Sequence, residues 1–366
     1  MRLCYNLSES ELEGESSVTK YFNLLLIFAP VAIAGEFLGW SPTIIFWSAA
    51  LAVIPLASIL GEATEELAAH TGPRLSGFLN GTLGNAAELI ITIFAIKEGL
   101  LDLVKASITG SILGNLLLVL GLSILMGGLR HGVQKFDRTQ ASVNATMLFL
   151  AIIALGIPSL FSHSIEEINH AGVEYLSLGT AAVMILIYAL SVVFSFQWGM
   201  EPGLAHEAHT TTGWSVRKAV AFLVGSTVLI AWLSEILVGT VEHTTHALGL
   251  SEFFVGIIIV PLIGNVAEHL VAVTAALKNH MELSMSVSLG SSLQVALFVA
   301  PALVFVSLLL GNPLTLVFNE FELIALGAAA LIAASAARDG ESNWLEGAQL
   351  LVVYVIIGLA FFFLPM

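Results

Sequence analysis

Gly84-Asn85-Ala86-Ala87-Glu88 in the first half of the chain and Gly264-Asn265-Val266-Ala267-Glu268 in the second are two copies of one string, Gly-Asn-x-x-Glu. Each lies inside a long apolar stretch. A carboxylate in the middle of a membrane segment is costly and marks a functional site by default. The Gly and Asn before it are residues that let a helix unwind and expose backbone oxygens. Two copies in two halves point to one site shared between internal repeats.

The match extends outward from the motif. Asn80 to Glu88 aligns with Val260 to Glu268, Gly110-Ser111-Ile112-Leu113 with Gly290-Ser291-Ser292-Leu293, and Thr64-Glu65 with Ser234-Glu235. The chain is 57% hydrophobic and 11% charged, which excludes an ordinary soluble domain. Strand-like alternation is absent, against an outer-membrane barrel. Eleven hydrophobic segments are expected, near 21–40, 42–70, 74–97, 101–127, 141–161, 173–196, 215–241, 251–277, 282–310, 320–337 and 344–365. The second and seventh are long and are expected to end in acidic, His-bearing turns. The fold class expected is therefore all-α integral membrane: helix 1 (21–40), an inverted repeat of helices 2–6 (41–196), and a second of helices 7–11 (215–366). Five helices per repeat make the halves insert with opposite orientation, and the helices break at the midplane where the halves meet. Residues 1–20 read as a cytoplasmic tail and 197–214 as a cytoplasmic linker.

Basic residues orient the chain. With the N-terminus inside, Arg2, Lys20, Arg74, Arg130, Lys135, Arg138, Arg217, Lys218, Lys278 and Arg338 fall on the cytoplasmic side, and only Lys97 and Lys105 outside. The acidic first twenty residues lack the basic region of a signal peptide, so the first helix is expected to be retained in a multi-pass protein. Cys4 is the one cysteine, so no disulfide framework exists within the chain. The net charge of −15, with no Lys or Arg in mid-span, makes an interior suited to cations; without a basic stripe, nucleic acid is not a partner. In the linker, Glu201, His206, Glu207 and His209 read as solvated.

Asn and Glu three residues apart lie on one helix face. Gly84 and Gly264, one turn before each Glu, open the backbone, helped by Gly81 in one copy and Pro261 in the other. If Glu88 and Glu268 meet, two negative charges match a divalent ion. Carboxylate, amide, hydroxyl and carbonyl oxygens select a hard cation, and flexible oxygen coordination suits Ca²⁺; Mn²⁺ stays open as a second cargo. Without metal, two buried carboxylates repel each other and are poorly solvated, so they take up protons. Metal and protons then compete for the same oxygens, which is the physical basis of an exchanger. Helices 4 and 9 add Ser107, Thr109, Ser111 and Asn115, and Ser284, Ser286, Ser288, Ser291, Ser292 and Gln294; the amides of Asn115 and Gln294 are the best placed to face the site. Glu65 and Glu235 at matching helix ends, and His269 beside Glu268, are candidates for a proton pathway, with interfacial charge and packing as their alternatives. Gly77, Gly81, Gly110 and Gly114 have the spacing of helix-packing glycines.

The chain closely resembles the calcium/proton exchangers, the cation/proton-exchanger branch of the calcium:cation antiporter superfamily. The resemblance lies in Gly61-Glu62-Ala63-Thr64-Glu65-Glu66-Leu67, in Asn80 to Leu89, Gly110 to Gly121, Gly264 to Leu270 and Ser288 to Pro301. It implies eleven helices, and Glu88 and Glu268 as the groups that bind cation and carry protons. Asn85, Asn265, the carbonyls near Gly84 and Gly264, Ser111, Asn115, Ser291, Ser292 and Gln294 would line the same cavity. It implies Ca²⁺ export in exchange for H⁺, no resident cofactor, a cytoplasmic (inner) membrane of a prokaryote, and a trimer. The competing readings are a sodium/calcium exchanger of the same superfamily, a divalent-cation channel and an intramembrane hydrolase. No GxxxxGK[ST] loop is present to support ATP-driven transport.

Overall fold

The computed structural model describes residues 23–71, 82–166, 171–198 and 213–364. The acidic tail with Cys4, Arg74, Gly77, Asn80, Gly81 and the linker residues Glu201 to His209 lie outside them. The described residues are almost entirely helical. They form α1 (Leu25–Leu38), α2 (Pro42–Ala69), α3 (Ala86–Lys97), α4 (Leu101–His131), α5 (Arg138–Glu166), α6 (Gly172–Trp198) and α7 (Val216–Gly239). There follow α8 (Val241–Leu248), α9 (Glu252–Gly264), α10 (Val266–Leu277), α11 (Met281–Leu310), α12 (Glu320–Ala336) and α13 (Trp344–Phe363).

Seven of these, α2, α4, α5, α6, α7, α11 and α13, are individually long and apolar enough to cross a bilayer; α8 and α9, bent by 111°, form an eighth if taken together. This is a multi-pass membrane protein. Burial sorts the helices into layers. The most apolar stretch of α4 is 72% buried and those of α2 and α11 are 61% buried, against 17% for α6 and α13. The first three form the centre, and the last two present their side chains to lipid.

The centre is held by close backbone contact. Where α4 crosses α9, a Cβ on Gly110 would lie 1.9 Å from the Ile257 carbonyl oxygen, and one on Gly256 would lie 2.9 Å from Leu103 O. One glycine from each helix thus lets the two backbones touch. The chain around the two motifs follows matching local courses. α3 and α10 are both twelve residues long, and each is followed by a left-handed residue, Gly99 (φ 78°) and Asn279 (φ 63°). α4 and α11 each contain a π-helical stretch, Gly114–Val119 and Val295–Val299; α9 carries a third, Val255–Ile259. Such widened turns re-aim the side chains around them and recur at functional sites.

Three features depart from the sequence reading. The second segment does not end in an acidic turn: α2 runs unbroken to Ala69, carrying Glu62, Glu65 and Glu66. Nor does the seventh, because Val241–Leu248 folds as a separate helix that holds Glu242, His243 and His246. Residues 134–135 and 341–342 pair as a short antiparallel ladder, with Lys135 bonded to Glu341 across it. Together with the bond between His131 and Leu277 O, this ladder gathers the ends of α4, α10 and α12. At the opposite end, the extended chain after α11 buries Leu314, Leu316 and Phe318 in alternation. Its backbone N–H groups at these positions donate to the hydroxyls of Ser307, Ser177 and Ser159, which satisfies donors that lipid could not.

Candidate functional site

Both motifs break a helix at the asparagine. Asn85 (φ −95°, ψ 21°) and Asn265 (φ −108°, ψ 12°) leave the helical region, and each accepts the first backbone bond of the next helix, from Leu89 and His269. Neither side chain caps its own helix, and both reach across to the other half of the chain. Glu88 and Glu268 each fall in the first turn of the following helix, where the positive end of the helix dipole favours negative charge.

The hydrogen bonds form two matching chains. Ser111 donates to Glu88, and Asn265 Nδ2 donates to Ser111 Oγ at 3.0 Å. Ser291 donates to Glu268 and lies 3.3 Å from Asn85 Oδ1. Each glutamate is therefore held by a serine of its own half, and that serine contacts the asparagine of the opposite half, Ser111 as acceptor from Asn265 and Ser291 beside Asn85 Oδ1. Asn85 Nδ2 donates to Gln294 Oε1 at 2.8 Å, and Asn115 Nδ2 to Ser291 Oγ at 3.0 Å. The motifs touch directly as well: a Cβ on Gly264 would sit 3.4 Å from Glu88 Cβ. Glu88 lies within electrostatic reach of Glu268.

Of the residues singled out from sequence, Asn85, Glu88, Ser111, Asn115, Asn265, Glu268, Ser291 and Gln294 fall in these two neighbouring chains. Gly84, Gly264, Glu65, Glu268, Ser291 and Gln294 line a cavity of about 70 Å³, together with Gly61 and Thr64 of α2. The cavity reaches Glu268 but not Glu88, whose side chain is fully buried and whose Oε2 has no hydrogen-bond partner. Ser292 is buried, but its hydroxyl bonds Ser288 O on its own helix and not the network. Glu235 stands apart: it pairs with Lys97 at 2.8 Å at the far end of the structure. His269 Nε2 is buried without a hydrogen-bond partner. Among the described residues no group of three His, Cys, Asp or Glu could hold a metal, so any cation at the network is met by two carboxylates and neutral oxygens.

One buried acid escaped the sequence reading. Glu322 is 2% exposed and accepts from Thr109 Oγ1 at 2.9 Å. Its signal was the spacing Asn319-x-x-Glu322, a capping box that the structure forms, and it serves the start of α12 rather than the cavity network.

A multi-pass membrane fold with an oxygen-lined, two-carboxylate site at paired helix breaks is that of a cation transporter. The chain belongs to the sodium/calcium exchanger protein family, whose model matches residues 41–197 and 218–363. It is 46% identical to the Ca²⁺/H⁺ antiporter of Aphanothece halophytica, covering 95% of this chain and 97% of that one. It is 41% identical to the Ca²⁺/H⁺ antiporter ChaA of Bacillus subtilis, over 94% and 99%. The native YfkE structure superposes with a TM-score of 0.83 at 40% identity, over 94% of this chain and all of that one. The H⁺/Ca²⁺ exchanger CAX shares the fold, with a TM-score of 0.73 at 18% identity over 95% and 92%.

Proposed function

We propose that this protein is a secondary active antiporter that exports Ca²⁺ from the cytoplasm in exchange for H⁺. The observation that carries the reading is the pair of contact chains, Glu88–Ser111–Asn265 and Glu268–Ser291–Asn85, each running from a carboxylate of one half to the asparagine of the other, with Gly264 packed on Glu88. Ca²⁺ binds hard oxygens in variable number. Glu88 and Glu268 ligate it, with Asn85, Asn265, Ser111, Asn115, Ser291, Gln294 and the carbonyls near Gly84 and Gly264 completing or orienting the shell. Proton uptake by the same carboxylates expels the metal, so the two cargoes alternate. Relatives that are 46% and 41% identical and bear the name Ca²⁺/H⁺ antiporter support this choice over sodium coupling. Mn²⁺ is a second cargo to test.

The architecture of this reading is eleven membrane helices, helix 1 beside two inverted repeats, with residues 1–20 and 197–214 in the cytoplasm of a prokaryotic cell. The two separate blocks of the family match support that division, as do the matching courses of α3–α4 and α10–α11. The ladder end, with Lys135 and Arg130, is then cytoplasmic, and the Lys97 end faces out. The cavity beside Glu65 and Thr64 opens toward the cytoplasm, where Ca²⁺ enters and protons leave Glu268 past Glu65 and His269. A homotrimer is the assembly to test by mass in native membranes or detergent.

The deciding experiment is ⁴⁵Ca²⁺ uptake by proteoliposomes under an imposed pH gradient. Uptake driven by the proton gradient is expected. Uptake driven by a Na⁺ gradient at fixed pH, or flux without counter-transport, would replace this reading with a sodium-coupled exchanger or a channel.

A further inference from the structure

An antiporter of this kind needs a second passage, from the site to the other face, and the sequence repeat gives its location. Thr64-Glu65 aligns with Ser234-Glu235, Glu268 with Glu88, Ser291 with Ser111, and Val287 with Ser107. Thr64, Glu65, Val287, Glu268 and Ser291 line the open cavity. Four of their five counterparts are shut away: Ser234 and Glu88 are completely buried, and Ser107 and Ser111 nearly so, while Glu235 stays exposed at the mouth.

The buried side holds polar atoms without a partner; Ser284 and Ser288 on α11 have such atoms too. Ser107 Oγ, Ser234 Oγ and Glu88 Oε2 have no hydrogen-bond partner. Thr64, Ser226 and Thr227 satisfy their hydroxyls on the preceding turn of their own helices; Ser107 and Ser234 do not. An orphaned buried polar group destabilises the state that contains it and calls for a reason. Hydration in an alternative conformation supplies one.

Above these groups lies an ion pair. Lys97 ends α3, Glu235 lies on α7 next to Ser234, and the pair joins the two helices at 2.8 Å. Lys97 also lies 5.5 Å from the centre of the Phe94 ring, and Asn312 holds the last carbonyls of α3 from the loop after α11. The position that matches Lys97 at the end of α10 is Leu277. The Lys97–Glu235 bridge thus has no lysine at the matching position of the other repeat.

We propose that Ser234 and Ser107 line the closed second passage to Glu88, and that the Lys97–Glu235 pair is the latch across its mouth, biasing the transporter toward the state seen here. The inference rests on the antiport reading above. Opening separates α3 from α7, breaks the pair and hydrates the two serines.

The test uses the full chain with Cys4→Ser, which leaves no other thiol, and Ser234→Cys as the reporter. A membrane-impermeant, charged thiol reagent is applied to sided vesicles from the face that bears Lys97. Slow labelling from that face is expected, rising about two- to fivefold when Lys97→Gln is added, the population shift that an exposed ion pair commands. Raised ionic strength should speed labelling when Lys97 is present and not in Lys97→Gln. Ser107→Cys repeats the measurement should Ser234→Cys fail to fold, and Thr64→Cys should label from the opposite face. Labelling of Ser234→Cys and Ser107→Cys only from the Thr64 face, or at rates indifferent to Lys97, overturns the proposal. Loss of that labelling with Ca²⁺/H⁺ exchange intact sinks the passage alone; absence of exchange with the labelling pattern intact counts against the proton coupling alone.

Discussion

Replacing Gly110 by alanine tests whether the contact between α4 and α9 sets the geometry of the site. The added methyl would lie 1.9 Å from the Ile257 carbonyl oxygen, 2.6 Å from its carbon and 2.7 Å from Pro261 Cγ. Carbon–oxygen contact becomes tolerable near ~3.3 Å, so the helices must part by about 1.4 Å. Two of the three obstacles are backbone atoms, which no rotamer change can remove. Overpacking of this kind costs about 1–3 kcal/mol or more. The displacement also acts on the chemistry. Ser111 follows Gly110 directly, and its bond from Asn265 of the opposing segment is 3.0 Å long. Adding 1 Å or more breaks that bond and leaves the Asn265 amide, whose Oδ1 has no partner already, without its remaining contact. Gly110→Ala should therefore lower thermal stability in detergent and cut Ca²⁺ affinity together. Gly264→Ala, whose methyl would meet Glu88 Cβ at an ordinary 3.4 Å, should fold far better. The paired readout is the unfolding midpoint and ⁴⁵Ca²⁺ binding for both variants. If Gly110→Ala folds and binds Ca²⁺ like the wild type, close approach at this crossing does not position the site.

The other predictions concern the network itself. Glu88→Gln and Glu268→Gln should each fold normally and lose exchange, with Ca²⁺ affinity down by about a hundredfold or more, since a buried cation short of one charge costs about 3 kcal/mol or more; wild-type ⁴⁵Ca²⁺ transport by either variant would remove that residue from the mechanism. Apparent Ca²⁺ affinity should weaken as pH falls, because protons occupy the oxygens the metal needs, with a slope of up to about two logarithmic units per pH unit if both carboxylates titrate; isothermal binding across pH measures it, and a flat profile would refute competition. Ser291→Ala removes the donor to Glu268 and the acceptor of Asn115, and should cost about 1.5–3 kcal/mol of Ca²⁺ binding; a double-mutant cycle with Asn115→Ala should show coupling of at least about 0.5 kcal/mol.

Much of this site was legible because its chemistry is expensive in lipid. Glu88 and Glu268 stand out in an apolar chain, and the asparagines three residues before them fall where the helices break. The serines and amides twenty-three to twenty-seven residues further on were readable as polar groups in a helix that lipid would reject. Which of them joined the network was not readable. Ser291 and Ser292 are adjacent and chemically identical, yet one bonds Glu268 and the other the preceding turn. The choice depends on the rotation of α11, and the sequence has no sign of the π-helical stretch that follows Gln294. Glu65 and Glu235 align in sequence but part in space, one in the cavity and one at the Lys97 mouth, because a pattern of identical residues does not state which passage is open. The extended segment that buries Leu314, Leu316 and Phe318 was invisible for another reason: its donors are satisfied by serines from three different helices.

The crossed pattern of the hydrogen bonds has a mechanical consequence. If each glutamate were held only by its own half, the halves could slide past one another and leave both carboxylates unchanged. Here the serine that orients each carboxylate is in polar contact with the asparagine of the other half. Relative motion of α4 against α9–α10, or of α11 against α3, must therefore stretch the bond that aims a glutamate. A cation that draws Ser111, Ser291 and both carboxylates inward tightens the same bonds, whereas protonated carboxylates become donors themselves and compete for those acceptors. Occupancy by metal and occupancy by protons then favour different placements of the halves, which is the differential interaction that any ligand-driven conformational change requires.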